Sequence, residues 1–482
     1  MSDRALWTID AMAAAMRADR AGRLPASVSG LSIDSRSIKP GEAYFAIKGD
    51  VHDGHAFVGP ALTAGGGVAV VARDKRDGLP TDAPLLVVDD VLDALRKLAE
   101  AARARAAARI VAVTGSVGKT STKEALRLVL SREGETHFSV ASFNNHWGVP
   151  LSLARLPQPA RFGVFEIGMN HAGEITPLTR LVRPHIAIVT TVEPVHLEFF
   201  ASIEAIADAK AEIFLGIEPA GAAVLNRDNK QFARLKGHAE AAGVKRIVAF
   251  GEHAKAEARL VKCSLQADSS TVEAEIFGER VVYKVGAPGK HMVMNSLAVL
   301  AAASLVGADL AIAALALAEL APAQGRGTRM TLDVPGGAAL LIDESYNANP
   351  TSMRAALALL GQAPLGPRGR RIAVLGDMLE LGPAGEKLHR ELAQAIKESA
   401  IDLVFCSGPL MAALWKALPS ERKGGYAETA AKLEPDVIAA IRSGDAIMVK
   451  GSLGSRMGPI VKELLRRFAP REAMPPPARA DA

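Results

Sequence analysis

The chain has 482 residues, room at roughly 150 residues per domain for about three domains with a buried core in each, which excludes a small stapled scaffold. Apolar residues make up 49% and charged residues 23%, an ordinary globular balance that excludes a disordered or fibrous protein. Lys plus Arg at 57 against Asp plus Glu at 52 leaves only +5 with no polybasic block, and aromatics are 4%, so no nucleic-acid partner is expected. Two cysteines, Cys263 and Cys406, are too few for a disulfide or zinc framework and fit a reducing, cytoplasmic compartment. Asp3, Arg4 and Asp10 interrupt the first residues, which therefore lack the apolar stretch of a signal peptide.

In chain order, short apolar runs alternate with helical patterns, the signature of an α/β fold with parallel sheets. Strands are predicted at Tyr44 to Ile47, Val68 to Ala72 and Leu85 to Val88, separated by turns such as Gly65-Gly66-Gly67. These form a small first domain, 1–87. A helix from Val91 to Arg109 opens a second domain, 88–323, with strands at Arg109 to Thr114, Arg161 to Ile167, His185 to Val192 and Ala222 to Leu225. A polar, β-branched stretch near Val261 to Val285 follows. The apolar segment Leu297 to Leu320 is interrupted by Asp309 and Glu319, which predicts two Ala-rich helices and no membrane insertion. The Pro/Gly segment Ala321 to Gly327 reads as a linker. A third domain, 324–469, repeats the rhythm with strands at Ala339 to Asp343, Arg371 to Gly376, Leu403 to Ser407 and Ala446 to Lys450, a doubly wound, Rossmann-like sheet. The Pro/Ala-rich tail, 470–482, is expected to be disordered.

The strongest local signal is RIVAVTGSVGKTSTK, Arg109 to Lys123, where an apolar run ends in a Gly-containing turn and a helix begins. Gly115 and Gly118 allow backbone N–H groups to approach phosphate oxygens. The helix N-terminus adds its dipole, Lys119 a cation, and the Thr120 hydroxyl suits Mg²⁺. A standard Walker loop has a glycine where this chain has Val113, so the P-loop is a shorter variant.

That loop resembles the nucleotide loop of the Mur ligase family, which includes folylpolyglutamate synthetases, and further blocks follow in the family's order from Ser35 to Arg456. The resemblance implies a three-domain ATP-dependent ligase: one domain binding a UDP-substrate, a central P-loop domain and a C-terminal domain bringing the amine. DESYNANPTSM, Asp343 to Met353, and VLGDMLELG, Val374 to Gly382, look most like the family member that adds D-alanyl-D-alanine to UDP-N-acetylmuramoyl-tripeptide. Those two molecules are therefore the expected partners, ATP and Mg²⁺ the expected cofactors, and a monomer the expected state.

By the same resemblance, Gly115, Ser116, Val117, Gly118, Lys119, Thr120 and Ser121 bind the nucleotide phosphates, Asn295 resembles an adenine contact, Arg326 a phosphate contact across domains, and Asp343 a ribose contact. The family commonly has His-Asn one turn before Asn295; here the pair is His291-Met292. Thr120, Glu166, His196 and Lys210 match metal-binding positions, and Lys119, Glu166, His196 and Lys210 are the catalytic candidates. From sequence alone Lys210 reads as a solvated helix lysine. The family resemblance implies a carbamate on it, formed with CO₂, which requires a neutral amine and hence a lowered pKa. Ser35, Arg36, Asp53 and His55 resemble UDP-sugar contacts, although a plain turn also explains Asp53-Gly54-His55. SFNNHWGVPL at Ser142 to Leu151 resembles a segment near the peptide substrate, with Asn144 and Asn145 as donors. Asn347 and Asn349, with Ser352, face the incoming dipeptide by resemblance, or equally cap a helix. A guanidinium such as Arg456 suits the dipeptide carboxylate by bidentate pairing. Two other readings keep the loop: a sister ligase that adds a single amino acid or glutamate, and a P-loop ATPase switch that binds a macromolecule.

Overall fold

The computed structural model describes residues 5–49, 52–140, 143–195, 197–323 and 325–469. His196, Ser142, Gln324 and the tail for which disorder is expected lie outside them. The protein is mixed α/β, built on three main sheets. The first runs Asp19–Ala21, Leu85–Val88, Val68–Ala72, Glu42–Phe45, Gly30–Ser32, all parallel except the first pair.

The second sheet has nine strands. Its parallel core is Arg246–Gly251, Ala222–Asn226, Ile186–Val189, Arg109–Thr114, Phe162–Glu166 and Thr136–Phe138. The β-branched stretch predicted after it becomes a meander of Ala258–Leu265, Ser270–Ile276 and Glu279–Val285 on its edge. Arg109–Thr114 shows why this chain folds so: Ile110 and Ala112 enter one core and Val111 and Val113 the opposite one, so a continuous apolar run is buried on both faces. Helices Lys119–Leu130 and Lys290–Leu305 pack together on one side. The apolar segment resolves into Lys290–Leu305 and Leu310–Ala316, as predicted, and no helix among the described residues is long and apolar enough to cross a membrane.

The third sheet runs Thr328–Val334, Gly337–Glu344, Ala446–Lys450, Arg371–Gly376, Leu403–Ser407, Lys423–Ala427, parallel apart from the leading hairpin. The first two sheets share a core: helix Val91–Arg105 packs on Gly148–Ala154 and Ile175–Val182, and one apolar cluster runs from Trp7 to Val244. The Trp7 indole N–H donates to the Ala154 carbonyl at 2.9 Å, and the Arg155 guanidinium donates to the Leu31 carbonyl. The third sheet instead buries its two faces in clusters made only of its own residues. A unit with its own core, joined by a linker, is free to move as a body.

Candidate active site

The phosphate loop leaves the C-terminal end of Arg109–Thr114, the edge where open parallel sheets hold ligands. Gly115 has φ +148° and Gly118 φ +84°, and added Cβ atoms would meet Thr190 Oγ1 at 1.9 Å and Asn295 Nδ2 at 2.8 Å. A side chain would clash at Gly115 and would strain the left-handed backbone at Gly118. The loop is strapped to the segment that follows Ile186–Val189. Thr190 Oγ1 donates to the Val117 carbonyl at 2.6 Å, and the Ser116 N–H to the Thr191 carbonyl at 2.8 Å. The Lys119 ammonium folds back to donate to the Gly115 carbonyl at 2.7 Å. Burial holds the Lys119 pKa below the ordinary lysine value; the Glu166 charge opposes this and the Arg326 charge adds to it.

Glu166 ends the next strand and is 1% exposed. Its carboxylate accepts from Thr120 Oγ1 at 2.9 Å and from Asn144 Nδ2 at 2.8 Å, so both oxygens are oriented. Asn145 uses its side-chain oxygen to accept from the N–H groups of Trp147 and Gly148, starting helix Gly148–Ala154. Lys210 corrects the solvated reading. It occupies the last turn of Ile203–Ala211, a helix capped by Ser202, and is 2% exposed. Burial, reinforced by the charge of Lys119, drives its pKa well below the ordinary lysine value.

Among the described residues no group of three or more His, Cys, Asp or Glu side chains is arranged to hold a metal. Thr120 and Glu166 nonetheless offer adjoining hard oxygens beside the phosphate loop. That donor set suits Mg²⁺, which uses one or two carboxylates and substrate phosphates instead of a closed protein cage.

A cleft between the second and third sheets is lined by Ser121, Glu124, His291, Pro322, Arg326 and Glu344. Asn295 turns to the loop, its amide 3.4 Å from Ser121 Oγ. His291, one turn earlier, is exposed to the cleft, yet the surrounding protein lowers its pKa. The Arg326 guanidinium lies 4.6 Å over the Tyr346 ring. Asp343 is buried and accepts from the N–H and Oγ of Ser345. The capping alternative is realised in the next turn: Asn349 and Ser352 form a reciprocal capping box for Pro350–Gly361. Asn347 accepts from the Ala348 N–H through its side chain and from Lys450 Nζ through its carbonyl. Arg456 is exposed in a left-handed conformation at φ +53°, just beyond Ala446–Lys450.

In the first domain the candidates bond to near neighbours. Arg36 pairs bidentately with Asp34 at 2.9 and 2.8 Å and is exposed, beside half-buried Ser35. Asp53 accepts from His55 Nδ1 at 2.6 Å, and that bond, with the His55 N–H, brings the Asp53 carboxyl down to about 2. His55 Nε2 accepts from the Ala72 N–H at 2.9 Å, which fixes the proton on Nδ1 and commits both ring nitrogens within the domain. The bonds between Asp53 and His55 are those of a turn.

Sequence reasoning gave no role to Lys450, which is 2% exposed and pairs with Glu344 at 3.1 Å, although its place at a strand end before Gly-Ser was visible. It also passed over Glu193, whose partners are remote in sequence.

Comparison with known proteins decides the family. Residues 113–303 match the Mur ligase middle domain, 328–453 the Mur ligase glutamate ligase domain and 27–103 the Mur ligase family catalytic domain. This chain belongs to the Mur ligase family. Among curated relatives, this Mur ligase is 33% identical over 447 residues to the UDP-N-acetylmuramoyl-tripeptide--D-alanyl-D-alanine ligase of Bacillus subtilis, covering 91% of this chain and 93% of that one. The enzyme of that name from Escherichia coli is 34% identical over 439 residues, covering 91% and 94%. Crystal structure I of MurF from Acinetobacter baumannii superposes with a TM-score of 0.80 at 29% identity, covering 95% of this chain and 99% of that one. MurF ligase from Thermotoga maritima in complex with ADP gives 0.73 at 25% identity, covering 91% and 98%.

Proposed function

We propose that this Mur ligase joins D-alanyl-D-alanine to UDP-N-acetylmuramoyl-tripeptide at the expense of ATP, giving UDP-N-acetylmuramoyl-pentapeptide, ADP and phosphate in a cytoplasmic step of peptidoglycan precursor synthesis. One observation carries the reading: Lys119, Thr120, Asn144, Glu166 and Lys210, drawn from separate parts of the chain, are grouped around the phosphate loop of a family built for this chemistry. The full-length relatives and the DESYNANP block narrow the amine to D-alanyl-D-alanine.

The terminal carboxylate of the tripeptide attacks the γ-phosphorus of ATP, and the bond to the bridging oxygen breaks to release ADP. The dipeptide amine then attacks the carbonyl carbon of the acyl phosphate, loses a proton, and inorganic phosphate leaves. Lys119 supplies positive charge to the transferring group, and the loop N–H groups, spaced by Gly115 and Gly118, cradle the phosphates. Thr120 and Glu166 would hold Mg²⁺, with His196 the further ligand that the resemblance implies, and the ion would screen the phosphate charge. Asn144 holds the Glu166 carboxylate in one orientation. The lowered pKa of Lys210 favours the neutral amine that can add CO₂ with loss of a proton, and the resulting carbamate would be a second anionic oxygen donor beside Glu166. Arg326 and Asp343 meet the nucleotide from the third domain, Asn295 the adenine, and Ser35, Arg36 and Asp53 the UDP-substrate. Asn145 lies by the peptide, and Asn347, Asn349 and Arg456 by the dipeptide. The proposed division is 1–87, 88–323 and 324–469, acting as a monomer. Closure of the third domain excludes water from the acyl phosphate.

The test is phosphate release from ATP and Mg²⁺ with each substrate omitted in turn. Release that requires both molecules supports the reading. Release that ignores D-alanyl-D-alanine but answers to a single amino acid moves the assignment to a sister ligase, and release indifferent to both moves it to an ATPase switch.

A further inference from the structure

Residues 190–195 and 197–199 touch both partners of the proposed closure. On one side Glu193 clasps the phosphate loop through its backbone: its carbonyl accepts from Ser116 Oγ at 3.1 Å and its N–H donates to the same oxygen at 2.9 Å. On the other side its carboxylate accepts from Thr351 Oγ1 at 3.3 Å, in the first turn of the third-domain helix Pro350–Gly361. Farther along, the Glu198 N–H donates to the Glu380 carbonyl at 3.3 Å, and Gly382 approaches so closely that a Cβ there would stand 3.3 Å from Glu198 Cα. Residues 191–193 are also held from within the central domain. Asn229 Nδ2 donates to Thr191 Oγ1 at 2.8 Å and to the Val192 carbonyl at 2.9 Å, and Thr191 in turn donates to the other Glu193 oxygen at 3.2 Å.

We propose that Glu193 is a positioning residue that couples docking of the third domain to the phosphate loop, so that seating helix Pro350–Gly361 on the central domain favours the loop's nucleotide-binding form. One residue thus has its backbone on Ser116 and its side chain on the other domain, with no flexible element between. The argument rests on the preceding reading only in that nucleotide binds across the two domains. A contact that favours the docked state raises apparent affinity by raising the fraction of molecules competent to bind.

The experiment measures the affinity of the full chain for a non-hydrolysable ATP analogue with Mg²⁺, together with its thermal midpoint. Glu193→Ala and Thr351→Val are each expected to weaken binding roughly three- to tenfold, the range of an ordinary net hydrogen bond. Thermal midpoints are expected to stay at the wild-type value because Asn229 still holds the segment. Thr351→Ser, which keeps the hydroxyl, restores wild-type binding, and the double variant is no weaker than the worse single one. Wild-type affinity in Thr351→Val, or losses that multiply in the double variant, would overturn the proposal. The measurement needs no amine, so failure of D-alanyl-D-alanine as a substrate would sink the functional reading and leave this result standing.

Discussion

The central and first domains hold their candidate residues in opposite ways. Around the phosphate loop the decisive bonds join residues far apart in sequence: Thr120 to Glu166 across 46 positions, and Asn144 to Glu166 across 22. In the first domain, Arg36 meets Asp34 and His55 meets Asp53, each pair two positions apart. Long-range bonds among buried groups need a folded sheet to exist, and they orient charge before any ligand arrives. Local bonds within turns serve the turn first, and His55 adds to its local bond one from the Ala72 N–H, 17 positions away. The nucleotide half is therefore preorganised by the fold, whereas Arg36 must give up or share Asp34 to meet a ligand.

The largest effect expected from this contrast lies at the loop. Lys119→Ala should lower turnover by at least about 10³-fold in a phosphate-release assay, because it removes the cation that bonds to the loop backbone at Gly115. Glu166→Gln should cost about 10²-fold, since an amide presents an N–H₂ to one of two donors already in place and removes the charge suited to Mg²⁺. Asn144→Ala should lower turnover about tenfold, and raising Mg²⁺ should recover part of it, because the carboxylate remains but is no longer oriented. Near-wild-type rates for Asn144→Ala would erase the difference drawn between the two domains.

Stability effects are smaller. Burial brings the His137 pKa down to about 4 while its Nε2–H donates to the Ser152 carbonyl at 2.6 Å. A folded-state pKa below the ordinary histidine value means that the contribution is complete above about 6.5 and is lost as pH falls towards about 4, a change of about 3 kcal/mol. Denaturant midpoints measured across that window should fall more in the wild type than in His137→Phe. His55→Phe should cost about 1 kcal/mol, from the unpaired Ala72 N–H, and chemical denaturation would show it. In the nucleotide half such a substitution acts on rate; here it acts on the turn.

Much of the fold was legible because parallel strands buried on both faces are written as apolar runs. Arg371–Gly376, Leu403–Ser407 and Ala446–Lys450 begin and end where the pattern places them. His185 to Val192 was predicted too long, since Thr190 to Val192 leave the sheet to strap the phosphate loop. The loop itself was readable from Gly115, Gly118 and Lys119, whose requirements are local. Lys210 was not, because a helical lysine next to alanines looks the same whether solvent or packed protein covers it, and only the tertiary fold decides. Glu193 was invisible for a related reason: its partners Ser116 and Thr351 are 77 and 158 positions away. Asn349 and Ser352 showed the reverse, where the capping pattern in the sequence was also the bonding pattern in the structure.

The most direct test is the mass of the UDP-linked product when the full chain is given ATP, Mg²⁺ and UDP-N-acetylmuramoyl-tripeptide with D-alanyl-D-alanine, D-alanine and glutamate in equal amounts. The account predicts one product, the pentapeptide, heavier by a D-alanyl-D-alanine unit less water. A product carrying a single amino acid, or unchanged tripeptide with ATP consumed, would contradict it.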